Sequence, residues 1–246
     1  TSFEVDITDF VLFDKDNIIA VYIDSTHHES WWYEGGGIYR HVWLVKSAPV
    51  CVDLWGVYIR PKKVTETDWR TDISVTVKNT TSAAVSAVVK TELYDENGTK
   101  AGECSTECTL EARRDTTVDM GTSVENPILW QVGDGHLYTA VTTVIIGGEE
   151  VDRVSDRYGY REVVCDPNHG LFVNGRHEKI CGVCGHYDCG LVGKAVPDSI
   201  FRYKVKLLTE MGANGYRTSH YPQSEALMDA LDDAGFIVLD EIRWFT

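Results

Sequence analysis

The sequence predicts a multidomain chain, all-β over its first two thirds and α/β with parallel strands in its last third. Three observations carry this. Short alternating strands with turn signals follow one another to about residue 161. After about Val164 the pattern becomes strand–helix–strand–helix–strand, which implies right-handed parallel crossovers. Polar clusters then close three successive strands: His186-Tyr-Asp188, Arg217-Thr-Ser-His220 and Asp240-Glu241. In a parallel α/β barrel, function sits at the C-terminal ends of the strands.

Residues 1–60 read as β-rich. Phe3-Glu-Val-Asp-Ile7 alternates, Ile18-Ile-Ala-Val-Tyr-Ile23 has the run of a buried strand, and 39–45 is a third. Trp31-Trp-Tyr-Glu-Gly-Gly-Gly37 lies between the last two; its aromatics suit either a core or a sugar-stacking platform. These strands are too few to close a sandwich.

Residues 61–163 read as an immunoglobulin-like sandwich. Ile73, Val75 and Val77 alternate with polar residues, as do Ala87, Val89, Thr91 and Leu93. Asn79-Thr-Thr-Ser82 and Asp95-Glu-Asn-Gly98 supply turns. Further strands are expected over 109–120 and 138–146, the latter ended by Gly147-Gly148. Two Asn-x-Thr sequons, at Asn79 and Asn97, fall in these turns, where such residues are common anyway.

Residues 164–246 hold the α/β part. Phe172-Val-Asn-Gly-Arg176 predicts a hairpin. Strands are expected at 179–184, 214–219 and 236–239, with helices at 197–211 and 224–234. The first helix should bury Ile200, Val205, Leu207, Leu208 and Met211, and the second Leu227, Met228 and Leu231. Gly212 and Gly235 mark the helix ends.

The net charge of −15 disfavours nucleic acid and anionic membrane as partners. No apolar run approaches the length of a spanning helix. Seven cysteines read as reduced thiols and, with no visible signal peptide, as a cytoplasmic setting. Cys181-x-x-Cys184-x-His186-x-x-Cys189 has zinc-like spacing. On a strand, however, Cys184 and His186 share a face that Cys181 does not, so no metal is assigned. Arg217 suits a structural ion pair with Asp240 or Glu241 as well as a substrate contact, and His220 suits a cap on the Tyr221-Pro222 turn.

Three stretches resemble glycoside hydrolase family 2, and its β-galactosidases in particular: Ile180-Cys-Gly-Val-Cys-Gly-His-Tyr-Asp-Cys-Gly190, Gly212-Ala-Asn-Gly-Tyr-Arg-Thr-Ser-His-Tyr-Pro222 and Gly235-Phe-Ile-Val-Leu-Asp-Glu241. Upstream, Trp32-Tyr-Glu-Gly-Gly-Gly-Ile-Tyr-Arg40, Asn126-Pro-Ile-Leu-Trp130 and Arg157-Tyr-Gly-Tyr-Arg161 are similar to the same family in the same order. The resemblance implies the end of a galactose-binding-like jelly-roll sandwich over 1–60, an immunoglobulin-like sandwich over 61–163, and the first three β/α units of a (β/α)8 TIM barrel over 164–246.

It also implies hydrolysis of terminal β-galactosides with retention in the full-length enzyme. A β-glucuronidase of the same family, or a non-catalytic carbohydrate-binding or scaffold protein, is the alternative. Retention needs two carboxyl groups about 5–5.5 Å apart. The resemblance places both catalytic Glu residues beyond Thr246, so no catalytic residue and no activity is expected in this chain alone. His186, Arg217, His220, Asp240 and Glu241 are expected to bind or support the sugar. No cofactor is expected: magnesium-dependent members carry a Glu four residues after the Asp-Glu pair, where this chain has Phe245. The Trp31–Trp32 region lacks a carboxylate where some members hold the sugar, unless Glu29 or Glu34 serves. Three barrel strands leave an open parallel edge, so the isolated chain is expected to aggregate, pair with a copy, or belong to a longer polypeptide. A homo-oligomer is expected for the full-length form.

Overall fold

The computed structural model describes residues 3–24, 26 and 37–241. The chain divides into two compact units, Thr1–His41 and Val42–Thr246.

The first unit holds a single 3-10 turn, Thr8–Phe10, among its described residues. Asn17 steadies the following bend, donating to the Leu12 carbonyl and accepting from the Leu12 amide. The strands expected at 3–7 and 18–23, and the one at 39–45 that spans the division, do not form. Ile18 is 92 % exposed. Alternation records a local preference, but a strand needs a ladder partner for its N–H and C=O groups. The Trp31–Tyr33 platform, Glu29, Glu34 and Phe245 lie outside the described residues.

The second unit opens with a two-sheet sandwich. One sheet has the order β1-β2-β5, from strands Val50–Lys63, Asp68–Asn79 and Arg114–Glu125. The other has the order β4-β3-β6-β7, from Lys100–Leu110, Val85–Tyr94, Tyr138–Ile146 and Glu149–Tyr158. All these pairings are antiparallel. Period-2 alternation turns Ile73, Val75 and Val77 of β2 inward against Val89 and Leu93 of β3, all fully buried. Tyr160 seals one end, its hydroxyl 2.9 Å from Thr71 Oγ1 and 3.1 Å from Tyr158 Oη.

The sandwich starts earlier than expected. β1 pairs with β2 from Val50 onward, so 50–60 is sandwich rather than the tail of a preceding domain. The strand expected over 109–120 is two strands: β4 ends at Leu110, and β5 begins at Arg114 after a turn with Arg113 at φ 54°. Buried Asn79 holds this turn, donating to the carbonyls of Ala83, Leu110 and Glu111. An Asn so engaged is closed to glycan attachment.

A three-stranded antiparallel sheet follows, β8-β9-β10 from Val163–Asp166, Gly170–Val173 and Arg176–Glu178. Its Asn174-Gly175 turn has positive φ at both residues, 50° and 77°, the conformation for which Asn-Gly is favoured.

The α/β part then runs β11 (Gly182–Gly185), α1 (Asp198–Glu210), β12 (Gly215–Thr218), α2 (Glu225–Asp233) and β13 (Ile237–Leu239). The strands form a parallel sheet in the order β11-β12-β13. Ser224 caps α2 by accepting from the Leu227 amide, an interaction worth about 1 kcal/mol. α2 buries Leu227 and Leu231, as its spacing predicts. α1 differs: Phe201 and Val205 are its buried residues, while Leu207 and Met211 face out at 44 % and 67 % exposure.

Sandwich and parallel sheet lock together around the end of α2. The Trp130 indole donates to the Asp232 carbonyl at 2.9 Å, and the Gly133 amide donates to Gly235 O. Arg161 stacks over Trp130, and Arg157 pairs with Asp233.

Candidate functional site

Parallel pairing in register brings the three polar clusters to one end of the β11-β12-β13 sheet. Cys184 stands opposite Arg217, and Arg217 opposite Leu239. Alternation sends Arg217 and Thr218, neighbours on β12, to opposite faces.

Each then takes one residue of the Asp240-Glu241 pair. Arg217 Nη2 lies 3.0 Å from both Glu241 oxygens. His220 brings Nδ1 to 3.2 and 3.3 Å from the same oxygens. Thr218 Oγ1 donates to Asp240 Oδ1 at 2.8 Å and accepts from the Glu241 amide at 2.7 Å. His186 completes the cluster edge-on to His220, with ring centroids 5.3 Å apart at 85°. Four of the five residues expected at the site, His186, Arg217, His220 and Glu241, are thus in one cluster, while Asp240 bonds Thr218. Of the two roles weighed for Arg217, the ion pair forms, and with Glu241. His220 meets the same carboxylate.

Glu241, held by two basic side chains, is a fixed acceptor rather than a free nucleophile. Asp240 is directed to Thr218 on the other face. Two carboxyl groups so divided do not face a common sugar carbon as retaining hydrolysis requires. What the cluster can do is present an ordered polar wall to a hydroxylated ligand. Arg217 also donates from Nη1 to Cys184 Sγ at 3.7 Å. That contact first, and Glu241 second, hold the guanidinium pKa above its ordinary value.

Beneath this wall is a support that sequence reading missed. Lys204 of α1 donates to the His186 carbonyl at 3.2 Å and to Tyr216 Oη at 3.1 Å. Burial pushes the Lys204 ammonium pKa down and the Tyr216 phenol up to about 12. Tyr216 is fully buried, and a Cβ at Gly185 would overlap its hydroxyl. Glycine is therefore required immediately before His186. The available signal was a lysine at position 204, three residues after Phe201 and beside Val205 on the helix face turned to the sheet.

All cysteines are free thiols. Among the described residues, no three His, Cys, Asp or Glu side chains are grouped to hold a metal ion. No helix among them is long and apolar enough to cross a membrane.

Known proteins match this architecture. A family model described as glycosyl hydrolases family 2 matches residues 52–161, and one described as glycosyl hydrolases family 2, TIM barrel domain, matches 166–246. A β-galactosidase of Bacteroides ovatus is 36 % identical over 98 % of this chain, which spans 28 % of that protein. The crystal structure of a glycosyl hydrolase family 2 member from Bacteroides cellulosilyticus superposes with a TM-score of 0.82 at 29 % identity, covering 86 % of this chain and 27 % of that one. A Bacteroides uniformis β-glucuronidase gives 0.79 at 30 % identity, covering 84 % of this chain and 26 % of that one.

Proposed function

The chain belongs to glycosyl hydrolase family 2, and from that premise we propose that the whole protein hydrolyses terminal β-galactosides with retention of configuration. This chain contributes the substrate-positioning wall. The observation that carries the reading is the clamped Glu241: Arg217 and His220 fix a carboxylate at the mouth of three parallel strands, where barrel enzymes hold their substrates. A carboxylate so fixed accepts hydrogen bonds from sugar hydroxyls in a defined direction.

The nucleophile and the acid/base are two further Glu residues outside this sequence, so the chain alone is inactive. The galactoside is supported by the 36 % identity to the Bacteroides ovatus β-galactosidase. A β-glucuronide is the second reading, favoured by the likeness to the Bacteroides uniformis β-glucuronidase.

The test is turnover of 4-nitrophenyl β-galactoside against the β-glucuronide by the full-length protein, with the product anomer followed by proton NMR. Faster galactoside cleavage releasing the β-anomer is the expected result. Preference for the glucuronide would establish the second reading, and release of the α-anomer would remove the retaining mechanism.

A further inference from the structure

We propose that Lys204 is a positioning residue: it sets His186, and through His186 the wall around Glu241, by pinning the backbone where β11 ends. The proposal rests on the glycosidase reading for its catalytic consequence, but not for its geometry.

Lys204 is the point at which α1 touches the site. Its Nζ donates to the carbonyl of His186 itself and to the hydroxyl of Tyr216. Tyr216 cannot retreat, because it is fully buried in the middle strand of the parallel sheet. Its hydroxyl occupies the space that a side chain at Gly185 would need. The peptide following Gly185 is therefore bounded below by a phenol and held by an ammonium.

From that pinned peptide the contacts run outward. The His186 ring packs edge-on against His220, and His220 meets both oxygens of Glu241. Remove the ammonium and the His186 carbonyl and the Tyr216 hydroxyl both lose a half-buried donor. The strand end is then free to shift, and a shift of about 1 Å in a positioning group is enough to slow an enzyme severely.

The experiment uses the full-length protein with Lys204→Met, which keeps the apolar stem, and Lys204→Arg, which keeps a cation long enough to reach both acceptors. The crystal structure of the Met variant is expected to show the His186 ring displaced from His220. Its kcat/KM for 4-nitrophenyl β-galactoside should fall about tenfold, with the loss larger in KM than in kcat. The Arg variant should restore most of both, and both variants should melt within a few degrees of wild type. A Met variant with His186 in place, or with His186 displaced and kcat/KM unchanged, overturns the proposal. If the wild-type protein cleaves neither galactoside nor glucuronide, the functional reading fails, and the position of His186 in the Met variant still decides the role of Lys204. Should the Met variant not fold, Lys204→Gln, one atom too short to reach both acceptors, takes its place: His186 displaced from His220 supports the proposal, and His186 in place overturns it.

Discussion

Trp130 of the sandwich donates its indole N–H to the carbonyl of Asp232, 102 residues away at the end of α2. That carbonyl is one of the last of the helix and also accepts from the Gly235 amide at 3.2 Å. Trp130 is itself 2 % exposed and carries Arg161 on its ring face. Trp130→Phe keeps most of the packing and removes the donor. The cost should be about 1–2 kcal/mol, read as roughly five- to thirtyfold faster amide exchange at Ala234 and Gly235. Unchanged exchange there would show that the indole N–H contributes nothing to the joint.

At the same joint, Gly135 lies so close to α2 that a Cβ would overlap the carbonyl oxygen of Asp232. Backbone cannot swing aside as a flexible side chain can. Gly135→Ala should cost about 1–3 kcal/mol of stability, more than Trp130→Phe, and lower the melting temperature accordingly. An alanine variant as stable as wild type would mean that the two segments separate easily.

Arg217 bridges Cys184 and Glu241 through two different nitrogens. Lysine brings one charge and no planar fork. Arg217→Lys in the full-length enzyme should therefore lower kcat/KM about tenfold to a hundredfold, measured on the preferred nitrophenyl glycoside. Full activity in the Lys variant would show that charge alone suffices.

Glu92 on β3 takes hydrogen bonds from Lys100 and then Lys90, which hold its pKa down to about 2 from an ordinary 4.5. A lowered carboxylate pKa stabilises the fold above the unfolded value and loses that contribution as pH falls from about 4.5 to 2. Because the pairs are partly exposed, solvent limits the effect to about 1 kcal/mol. The stability difference between wild type and Glu92→Gln should shrink across that acid range and be flat from pH 6 to 8. A difference that persists at pH 2 would count against the ion pairs as its source.

The seven thiols should separate by reactivity. Cys165, Cys181 and Cys184 are exposed, Cys51 is buried, and burial pushes the Cys104 pKa up to about 11. Iodoacetamide at pH 8 should label the first three rapidly and Cys51 and Cys104 only after unfolding, as peptide mass spectrometry would show. Early labelling of Cys104 would place it outside the packed face of the sandwich.

The parallel part was legible because its signals are local and redundant. Gly212 and Gly235 end helices with φ of 86° and 70°, Ser224 caps α2, and Asn174-Gly175 turns a hairpin. The three strand-end clusters converged as the barrel pattern implies. The sandwich was read less completely. β4 and β7 each turn one face to solvent, so Glu103, Cys104, Ser105 and Thr106 show weak apolar contrast and passed unread. The turn at 111–113 contains neither Gly nor Pro and depends on Asn79, a residue far away in sequence. At 3–7, 18–23 and 39–45 the error was the opposite: alternation is a property of a few residues, whereas a ladder is a property of two segments. Lys204 escaped for the same reason, because its partners lie 12 and 18 residues away.

Consecutive Asp240 and Glu241 are read separately by consecutive Thr218 and Arg217. The four residues act as a two-letter code between neighbouring strands. A slip of β13 by one position would set a carboxylate against the threonine that needs Asp240 and withdraw one from the guanidinium. The site therefore proof-reads the sheet that carries it. Substitutions at 217, 218 or 240 act on strand alignment as well as on the side chains of the cluster. An inactive variant at any of them identifies a catalytic defect only once its strand alignment has been checked.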